Sequence, residues 1–462
     1  MPDVCFDLDL ITRYGGTGPR YTSYPTALQF TDTFTAEDHK EFASQSNQLP
    51  IPRPLSVYVH IPFCQTLCYY CGCTKIVTRN EQRVTDYLRS LYREIELQAA
   101  LFDKDRVVEQ LHFGGGTPTY LAEEQLREVM RRLSANFDLQ KTPDREFSIE
   151  IDPRTVDLNA IDTLAELGFN RLSMGIQDFD PQVQKAVNRI QSEESVRELT
   201  EKSRAAGFES ISFDLIYGLP GQTVESFSRT LDTVIDLAPD RIAVYNYAHL
   251  PQRFKGQRMI KSEEIPSPDV KLDILNSSIS KLIDARYEYI GMDHFALPDD
   301  ELAVAQRTGE LQRNFQGYST HRSCDLIGLG ISSISHIGDS FSQNVVGTAS
   351  YAEILAQGKL PIQRGLVLND DDRLRGAVIQ QMMCFGYIDF DYFSQKFNID
   401  FTEYFAAELQ RLKPLEEDNL ITTNTRRVDI TTRGRLLLRT VARVFDIYSG
   451  DQSLSQRFSQ TI

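Results

Sequence analysis

The chain has 462 residues, 41% of them hydrophobic and 25% charged, the composition of a soluble globular protein with material for more than one core. Its formal net charge of -16 argues against nucleic acid and anionic membrane as main partners, because both are bound through a surplus of Lys and Arg. No apolar run approaches the length of a membrane span, and the acidic start lacks the basic region of a signal peptide, so a cytoplasmic protein without membrane insertion is expected.

In chain order, Gly18-Pro19-Arg20-Tyr21-Thr22-Ser23-Tyr24-Pro25-Thr26-Ala27 comes before any regular pattern and reads as an arm. Six strand-like runs then alternate with helical patterns, at 55–60, 110–113, 147–151, 171–175, 210–216 and 241–247. Between the first two, Val84, Tyr87, Leu88, Leu91, Tyr92 and Ile95 recur at the i, i+3, i+4, i+7 spacing of one buried helix face. Leu126, Val129, Met130 and Leu133 repeat that spacing after the second. Strand and helix in alternation predict a parallel sheet with helices outside it.

Polar groups follow these strands throughout. The cysteines come after the first, Gly114 to Gly116 after the second, Glu150 and Asp152 end the third, and Gln177 follows the fourth. Asp214 and Tyr217 close the fifth, Asn246 and His249 the sixth. In a barrel of parallel strands those ends share one mouth. Further on, Ser267-Pro268-Asp269 predicts a helix start, with Leu272, Leu275, Ile279, Leu282 and Ile283 inward, and 325–334 reads as a last buried strand with its turn. From about Gly365 the order becomes helices, a hairpin around Asn424-Thr425, and a final helix with Leu436, Leu437, Val441, Val444 and Phe445 inward, as in a winged-helix module. Arg426, Arg427, Arg433, Arg435, Arg439 and Arg443 read there as a solvated or interdomain face rather than a DNA surface.

Seven cysteines, four of them between Cys64 and Cys73, are unlike a secreted disulfide framework; Cys5, Cys324 and Cys384 stand alone and read as packing residues or spare thiols. Cys64, Cys68 and Cys71 form a C-x3-C-x2-C array. Three thiolates on one short loop suit three corners of an iron–sulfur cube, with the fourth iron open to a small molecule. A zinc site completed by Cys73 is the alternative. The run Gly114-Gly115-Gly116-Thr117-Pro118 is neither a dinucleotide fingerprint nor a phosphate loop; it is a tight turn or a place where backbone donors approach a ligand. His60 either tunes a cluster from behind its ligands or packs at the end of the first strand.

With Tyr70 just before the third cysteine, this loop resembles that of the radical SAM (S-adenosylmethionine) enzymes. The 18–27 stretch, Gly114-Gly115-Gly116-Thr117-Pro118-Thr119, Asn314-Phe315-Gln316-Gly317-Tyr318 and Cys73 narrow the resemblance to the oxygen-independent coproporphyrinogen III oxidases, from about Tyr14 to the C-terminus. The resemblance implies an α/β fold: a partial (βα)6 TIM-like barrel at 51–364, an N-terminal arm at 1–50 covering the active site and shielding a radical, and a mainly helical, winged-helix-like domain at 365–462. It implies a 4Fe-4S cluster on Cys64, Cys68 and Cys71, and one or two molecules of S-adenosylmethionine. Tyr58, Gly115, Glu150 and Ile334 match the positions that line the first, and Tyr70, Gly116, Thr117, Gln177, Arg189, Asp214 and Ala248 those near a second. Tyr58, Glu150, Arg189 and Gln316 are the catalytic candidates. For Glu150, an ordinary strand-end carboxylate paired with Arg154 is the alternative.

The reaction implied is oxidative decarboxylation of two propionates of coproporphyrinogen III to the vinyl groups of protoporphyrinogen IX, in heme biosynthesis. There the reduced cluster cleaves S-adenosylmethionine to a 5'-deoxyadenosyl radical, which takes a hydrogen from the propionate β-carbon. A small electron-donor protein such as flavodoxin or ferredoxin and a monomeric state are expected with it. Two alternatives stay open: a heme chaperone of the same superfamily, a group from which Cys73 is missing, and a zinc-stabilised interaction protein. An acidic chain acting on a polyanion needs local cations, and Arg20, Arg154, Arg189 and Lys75 are the candidates, with Arg189 the residue expected to hold a carboxylate.

Overall fold

Alternation within single strands decides this architecture. The computed structural model describes residues 4–321 and 324–449. Along Ser210–Tyr217, Ile211, Phe213, Leu215 and Tyr217 are buried, while Ser212, Asp214 and Ile216 are only half-buried. Arg171–Gln177 repeats the pattern, with Ser173, Gly175 and Gln177 on the half-buried side. A period of two puts these residues on one face of the sheet. That face is polar and incompletely packed, unlike the apolar interior of a closed eight-stranded barrel.

The strands are β1 (Leu55–Ile61), β2 (Val107–Gly115), β3 (Glu146–Ile151), β4 (Arg171–Gln177), β5 (Ser210–Tyr217), β6 (Arg241–Asn246), β7 (Asp325–Leu329), β8 (Ile334–Ile337), β9 (Ser340–Asn344) and β10 (Ile362–Val367). They lie in the order β6-β5-β4-β3-β2-β1-β7-β8-β9-β10. β1 to β6 are parallel, as is the β1–β7 pair. All six expected strands are present, and the fold is the expected mixed α/β one with a parallel sheet. The run at 325–334 is two elements, since β7 turns into an antiparallel extension through β8, β9 and β10. Its short polar strands, such as Ser-Phe-Ser-Gln-Asn at 340–344, carry little of the apolar signal by which a strand is read from sequence.

The helix Glu81–Ala99 starts where Asn80 accepts hydrogen bonds from the amides of Gln82 and Arg83. Val84, Tyr87, Leu88, Leu91 and Ile95 are buried as expected, but Tyr92 is only partly covered, with Arg132 over its ring at 5.1 Å. Glu94 is fully buried instead. It accepts from the Gly330 amide at 2.7 Å, from Asn344 Nδ2 at 2.6 Å and from the Tyr351 hydroxyl. Tyr87 beside it donates to the His60 carbonyl at 2.6 Å and accepts from the Ile331 amide. A polar cluster thus ties the ends of β1 and β7 to the helix behind them.

By contacts, the described residues 30–274 and 324–367 form one compact unit, and 4–29, 275–321 and 368–449 another. This divides the chain differently from three consecutive segments at 1–50, 51–364 and 365–462, since 275–321 groups with both termini. The second unit has its own core, in which Leu10, Tyr21 and Tyr24 join Val378, Met382, Phe393, Phe405 and Phe445. Its three-stranded antiparallel sheet runs Tyr387–Asp389, Arg427–Ile430, Ile421–Thr423. The final helix is broken into short turns at Arg435–Leu437, Leu438–Ala442 and Arg443–Phe445. Two of the arginines expected on a solvated face, Arg435 and Arg439, are buried. Arg439 donates to the carbonyls of Gly18 and Pro19, so a basic pattern serves internal anchoring.

Burial raises the Glu94 carboxyl from its ordinary 4.5 to about 7, against its three donors. The folded state therefore keeps a proton that the unfolded chain has released between those values, and this group's contribution falls as pH rises through that window. The loss is on the order of 3 kcal/mol across it. Melting temperatures of wild type and Glu94→Gln, measured from pH 4.5 to 7.5, are expected to differ in slope, the variant lacking this decline.

Candidate active site

The cysteine loop leaves β1 and is fixed by backbone bonds before any side chain acts. The Ile76 amide donates to the Pro62 carbonyl at 2.6 Å and that of Thr78 to Cys64 at 3.2 Å, a short parallel pairing that closes the loop on itself. The amides of Gly116 and Thr117 donate to Ile61 and Phe63, so the glycine turn after β2 lies directly against the loop. Gly115 has φ +116°, and a Cβ there would stand 2.6 Å from the His60 ring. Only glycine suits that position.

Cys68 is buried, Cys64 and Cys71 are half-buried, and Cys73 is exposed. All four line a cleft of about 240 Å³ with Gly115, Gly116, Thr117, Glu150, Asp152, Gln177, Arg189 and Asp214. Cys64 Sγ lies 3.7 Å from Thr117 Oγ1, and burial pushes its thiol up to about 11. Cys71 is drawn down to about 6, first by Cys73 beside it and then, against the cost of burial, by Lys75. No three of these four sulfurs come within 4.8 Å of one another. Thiolates on one zinc stand about 4 Å apart, so the loop does not present a tetrahedral site, whereas a cube holds its ligands farther apart.

Two guanidiniums meet at Cys68. Arg154 Nη2 is 3.2 Å and Arg189 Nη1 3.5 Å from its sulfur. Both pair with Asp152, at 2.6 and 3.2 Å. Burial alone would raise the Asp152 carboxyl, but Arg154 and Arg189 outweigh it and hold the group below its ordinary value. Arg189 also donates to the Gly175 carbonyl, yet its Nε is buried without a partner.

A second row crosses the strands in register, Tyr58 beside His112 and His112 beside Ser148. Tyr58 stacks on the His112 ring at 5.7 Å, and His112 Nε2 lies 3.2 Å from Glu150 Oε1. The other Glu150 oxygen accepts from the Gly115 amide at 3.2 Å. Burial opposes ionisation of Glu150, but His112 and this amide outweigh it and lower its pKa. Glu150 is therefore not the partner of Arg154; that partner is Asp152. His60 bonds the Tyr58 hydroxyl through Nδ1 and the Thr74 carbonyl through Nε2, both at 3.0 Å. Asp214, half-buried, is pushed up to about 7 by loss of hydration and then by the charge of Glu150, with Ser173 donating to it at 3.2 Å.

Eleven of the candidate site residues named from the sequence meet at this cleft: Cys64, Cys68, Cys71, Tyr70, Gly115, Gly116, Thr117, Glu150, Gln177, Arg189 and Asp214. Tyr58 stands behind Glu150 through His112. Ile334 lies on β8 against Gly328, the register partner of Tyr58. Ala248 is exposed, and its carbonyl shares the Gln257 amide with that of Tyr70. Gln316 sits in the turn between Gln312–Asn314 and Gly317–Ser319 of the other unit, its Nε2 buried and unpartnered. Sequence reasoning missed His112, Ser173 and the full part played by Asp152. His112 was reachable, since it lies two residues before Gly114 and so on the same face of β2.

The donor set fits a cluster with a small polar cofactor. Three thiols share one loop, a glycine cradle adjoins them, and Gln177 Oε1 and Arg189 Nε are buried polar atoms awaiting partners. Comparison with known proteins agrees. Residues 58–234 match the radical SAM superfamily and 368–437 the HemN C-terminal domain. The chain is 50% identical over its full length to the oxygen-independent coproporphyrinogen III oxidase of Pseudomonas aeruginosa, covering 100% of that protein, and 47% identical to that of Escherichia coli, again 100% of both. The solved structure of the Escherichia coli enzyme, described as coproporphyrinogen III oxidase (HemN) and a radical SAM enzyme, superposes with a TM-score of 0.91 over 96% of this chain and 100% of that one. On this fold, this cleft and identity along the whole chain, the protein belongs to the oxygen-independent coproporphyrinogen III oxidases of the radical SAM superfamily.

Proposed function

We propose that the protein oxidatively decarboxylates two propionates of coproporphyrinogen III to give protoporphyrinogen IX, in the anaerobic branch of porphyrin and heme synthesis. The observation that carries this is the three-thiol loop closed against a glycine cradle beside Glu150, in a chain of this family. When bound, a 4Fe-4S cluster and S-adenosylmethionine supply the electron and the hydrogen-abstracting radical.

The protein's own residues do the rest. Cys64, Cys68 and Cys71 would hold the cluster, with Arg154 and Arg189 placing positive charge at the Cys68 sulfur. Glu150, kept ionised and held by His112 and the Gly115 amide, would accept hydrogen bonds from the cofactor. Tyr58 stacks behind it and Ile334 lies along the same wall. Tyr70, Gly116, Thr117, Gln177, Arg189, Asp214 and Ala248 would receive a second cofactor molecule, and the unpartnered Gln177 Oε1 and Arg189 Nε favour that. Gln316, on the other unit, is the fourth catalytic candidate. A cytoplasmic monomer reduced by a flavodoxin- or ferredoxin-like donor suits this chemistry. No helix among the described residues is long and apolar enough to cross a membrane.

Anaerobic incubation with coproporphyrinogen III, S-adenosylmethionine and a strong reductant should release carbon dioxide, divinyl product and 5'-deoxyadenosine together. Heme binding without decarboxylation would favour a chaperone instead, a reading that Cys73 speaks against.

Cys64→Ala, Cys68→Ala and Cys71→Ala are each expected to abolish the brown cluster absorption and cofactor cleavage. Cys73→Ala keeps the cluster, because Cys73 is exposed and the fourth iron must stay open. Iron and sulfide analysis of anaerobically prepared protein reads both outcomes.

Arg189→Leu removes a buried fork of donors while Asp152 keeps Arg154. The expected loss is on the order of 2–5 kcal/mol in binding or transition-state stabilisation, with the cluster retained. Arg189→Lys restores charge without two-pronged geometry and should recover part of it. Steady-state kcat/KM beside the cluster absorption checks this, and normal turnover by the Leu variant would make Arg189 purely structural.

A further inference from the structure

The unit built from both termini and 275–321 contains a concentration of guanidinium groups that the cleft does not use. Arg313 is 94% buried, being 6% exposed, and its Nη1 has no hydrogen-bond partner. Its Nε donates to the Arg20 carbonyl at 3.2 Å, and its guanidinium lies 4.7 Å from the centre of the Tyr318 ring. Arg20 is bonded to Asp293, and Arg439 is buried with its donors on the Gly18 and Pro19 carbonyls. Burial first, and then the nearby Arg20, draw the Arg439 guanidinium down to about 10; Asp293 opposes this and Arg313 adds to it. Arg435, whose guanidinium lies 5.8 Å from the centre of the Tyr289 ring, is also buried, with its Nε unpartnered.

Buried charges are almost always paired, because an unpaired one loses its hydration without return. Carbonyl oxygens take part of the donor set here, and the rings of Tyr318 and Tyr289 take some of the charge, but neither neutralises it. What Arg313 lacks is an acidic partner: it has no ion pair among the described residues, and a planar guanidinium with a bare Nη is shaped for a carboxylate. Arg20, partly exposed at 36% of its side chain, opens the group toward solvent. The one acid of the cluster among the described residues, Asp293, is bonded to Arg20 and not to Arg313, whereas Asp152 serves both Arg154 and Arg189 and Asp325 serves Arg106.

We propose that Arg313, with Arg20 and Arg439 around it, is a binding site for a carboxylate of the substrate, distinct from the cysteine cleft. The inference rests on the functional reading above, since coproporphyrinogen III supplies propionate carboxylates. It bears on how a chain of net charge -16 holds a polyanion: several cations are gathered here, with Asp293 as an internal competitor.

The test is anaerobic titration of the full-length, cluster-loaded protein with coproporphyrin III, the stable oxidised form, followed by porphyrin fluorescence, in parallel with its tetramethyl ester. Wild type should bind the acid in preference to the ester. Arg313→Gln should weaken the acid by about tenfold or more and leave the ester unchanged, and Arg313→Lys should recover part of the loss. Asp293→Asn removes the internal competitor and should tighten acid binding several-fold, an opposite sign that holds even if Arg313→Gln fails to fold. Iron content and melting temperature report folding of each variant. Equal binding of acid and ester by wild type, or of the acid by wild type and Arg313→Gln, overturns the site while leaving the enzymatic reading intact. If wild type binds no coproporphyrin III and also releases no carbon dioxide from coproporphyrinogen III, both fall.

Discussion

Everything at the cleft depends on a parallel sheet that keeps one face polar and half-buried. In β3, β4 and β5 the strand period sends apolar side chains outward to the helices and leaves Ser148, Glu150, Ser173, Gly175, Gln177 and Asp214 on the other face. A closed eight-stranded barrel would fill that space with branched apolar residues. Here the space is kept open, and the groups that border it are held by one another. Small residues are part of this: a Cβ at Gly175 would stand 2.8 Å from Gln177 Nε2 and 3.1 Å from Arg189 Nη2. The strand breaks its own pleat at the same place, with a register shift between Gly175 and Gln177 and φ +68° at Gln177. That irregularity re-aims a side chain into the cleft, a common use of a bulge at the end of a strand.

Charge is distributed on the same logic. The chain is strongly acidic overall, yet buried arginines occur wherever backbone or sulfur must be held in place. Arg106 pairs with Asp325 at 2.6 Å at the base of β7, both nearly inaccessible. Arg154 and Arg189 share Asp152 beside Cys68, which lets two cations approach one sulfur without leaving a net buried charge of two. The outward surface carries the surplus of acid, whose field is screened within about 10 Å at 0.1 M salt. Global charge therefore says little about what a buried site can bind.

Much of the fold was legible because its signals are periodic. The six parallel strands and the apolar faces of Glu81–Ala99 and Glu123–Asn136 follow from spacing alone. Cys64, Cys68, Cys71 and the glycine turn were legible because loop chemistry is local in sequence. Contacts between distant segments were not. Nothing near Arg154 marks Asp152 rather than Glu150 as its partner, since side chains two apart on a strand share a face, and the turn after β3 decides between them. The burial of Glu94 broke an apolar pattern without weakening it, because its partners Gly330, Asn344 and Tyr351 lie more than 230 residues away. Arg435 and Arg439 read as solvated because a basic helix face usually is; the short helical turns around Leu438–Ala442 bury both faces instead.

Glu150 and Asp214 show what composition cannot convey about a site. Both are carboxylates on the same polar face, one strand apart from each other across β4. Burial acts on each in the same direction, toward neutrality. Glu150 has His112 and the Gly115 amide to hold its charge and stays ionised well below neutral pH. Among the described residues Asp214 has only Ser173 as a direct donor, and the charge on Glu150 pushes it further up, to about 7. The first acid is thus an acceptor for cationic or N–H groups, while the second still holds a proton near neutrality and can donate it. Two like residues acquire opposite hydrogen-bonding characters because one of them was given partners first.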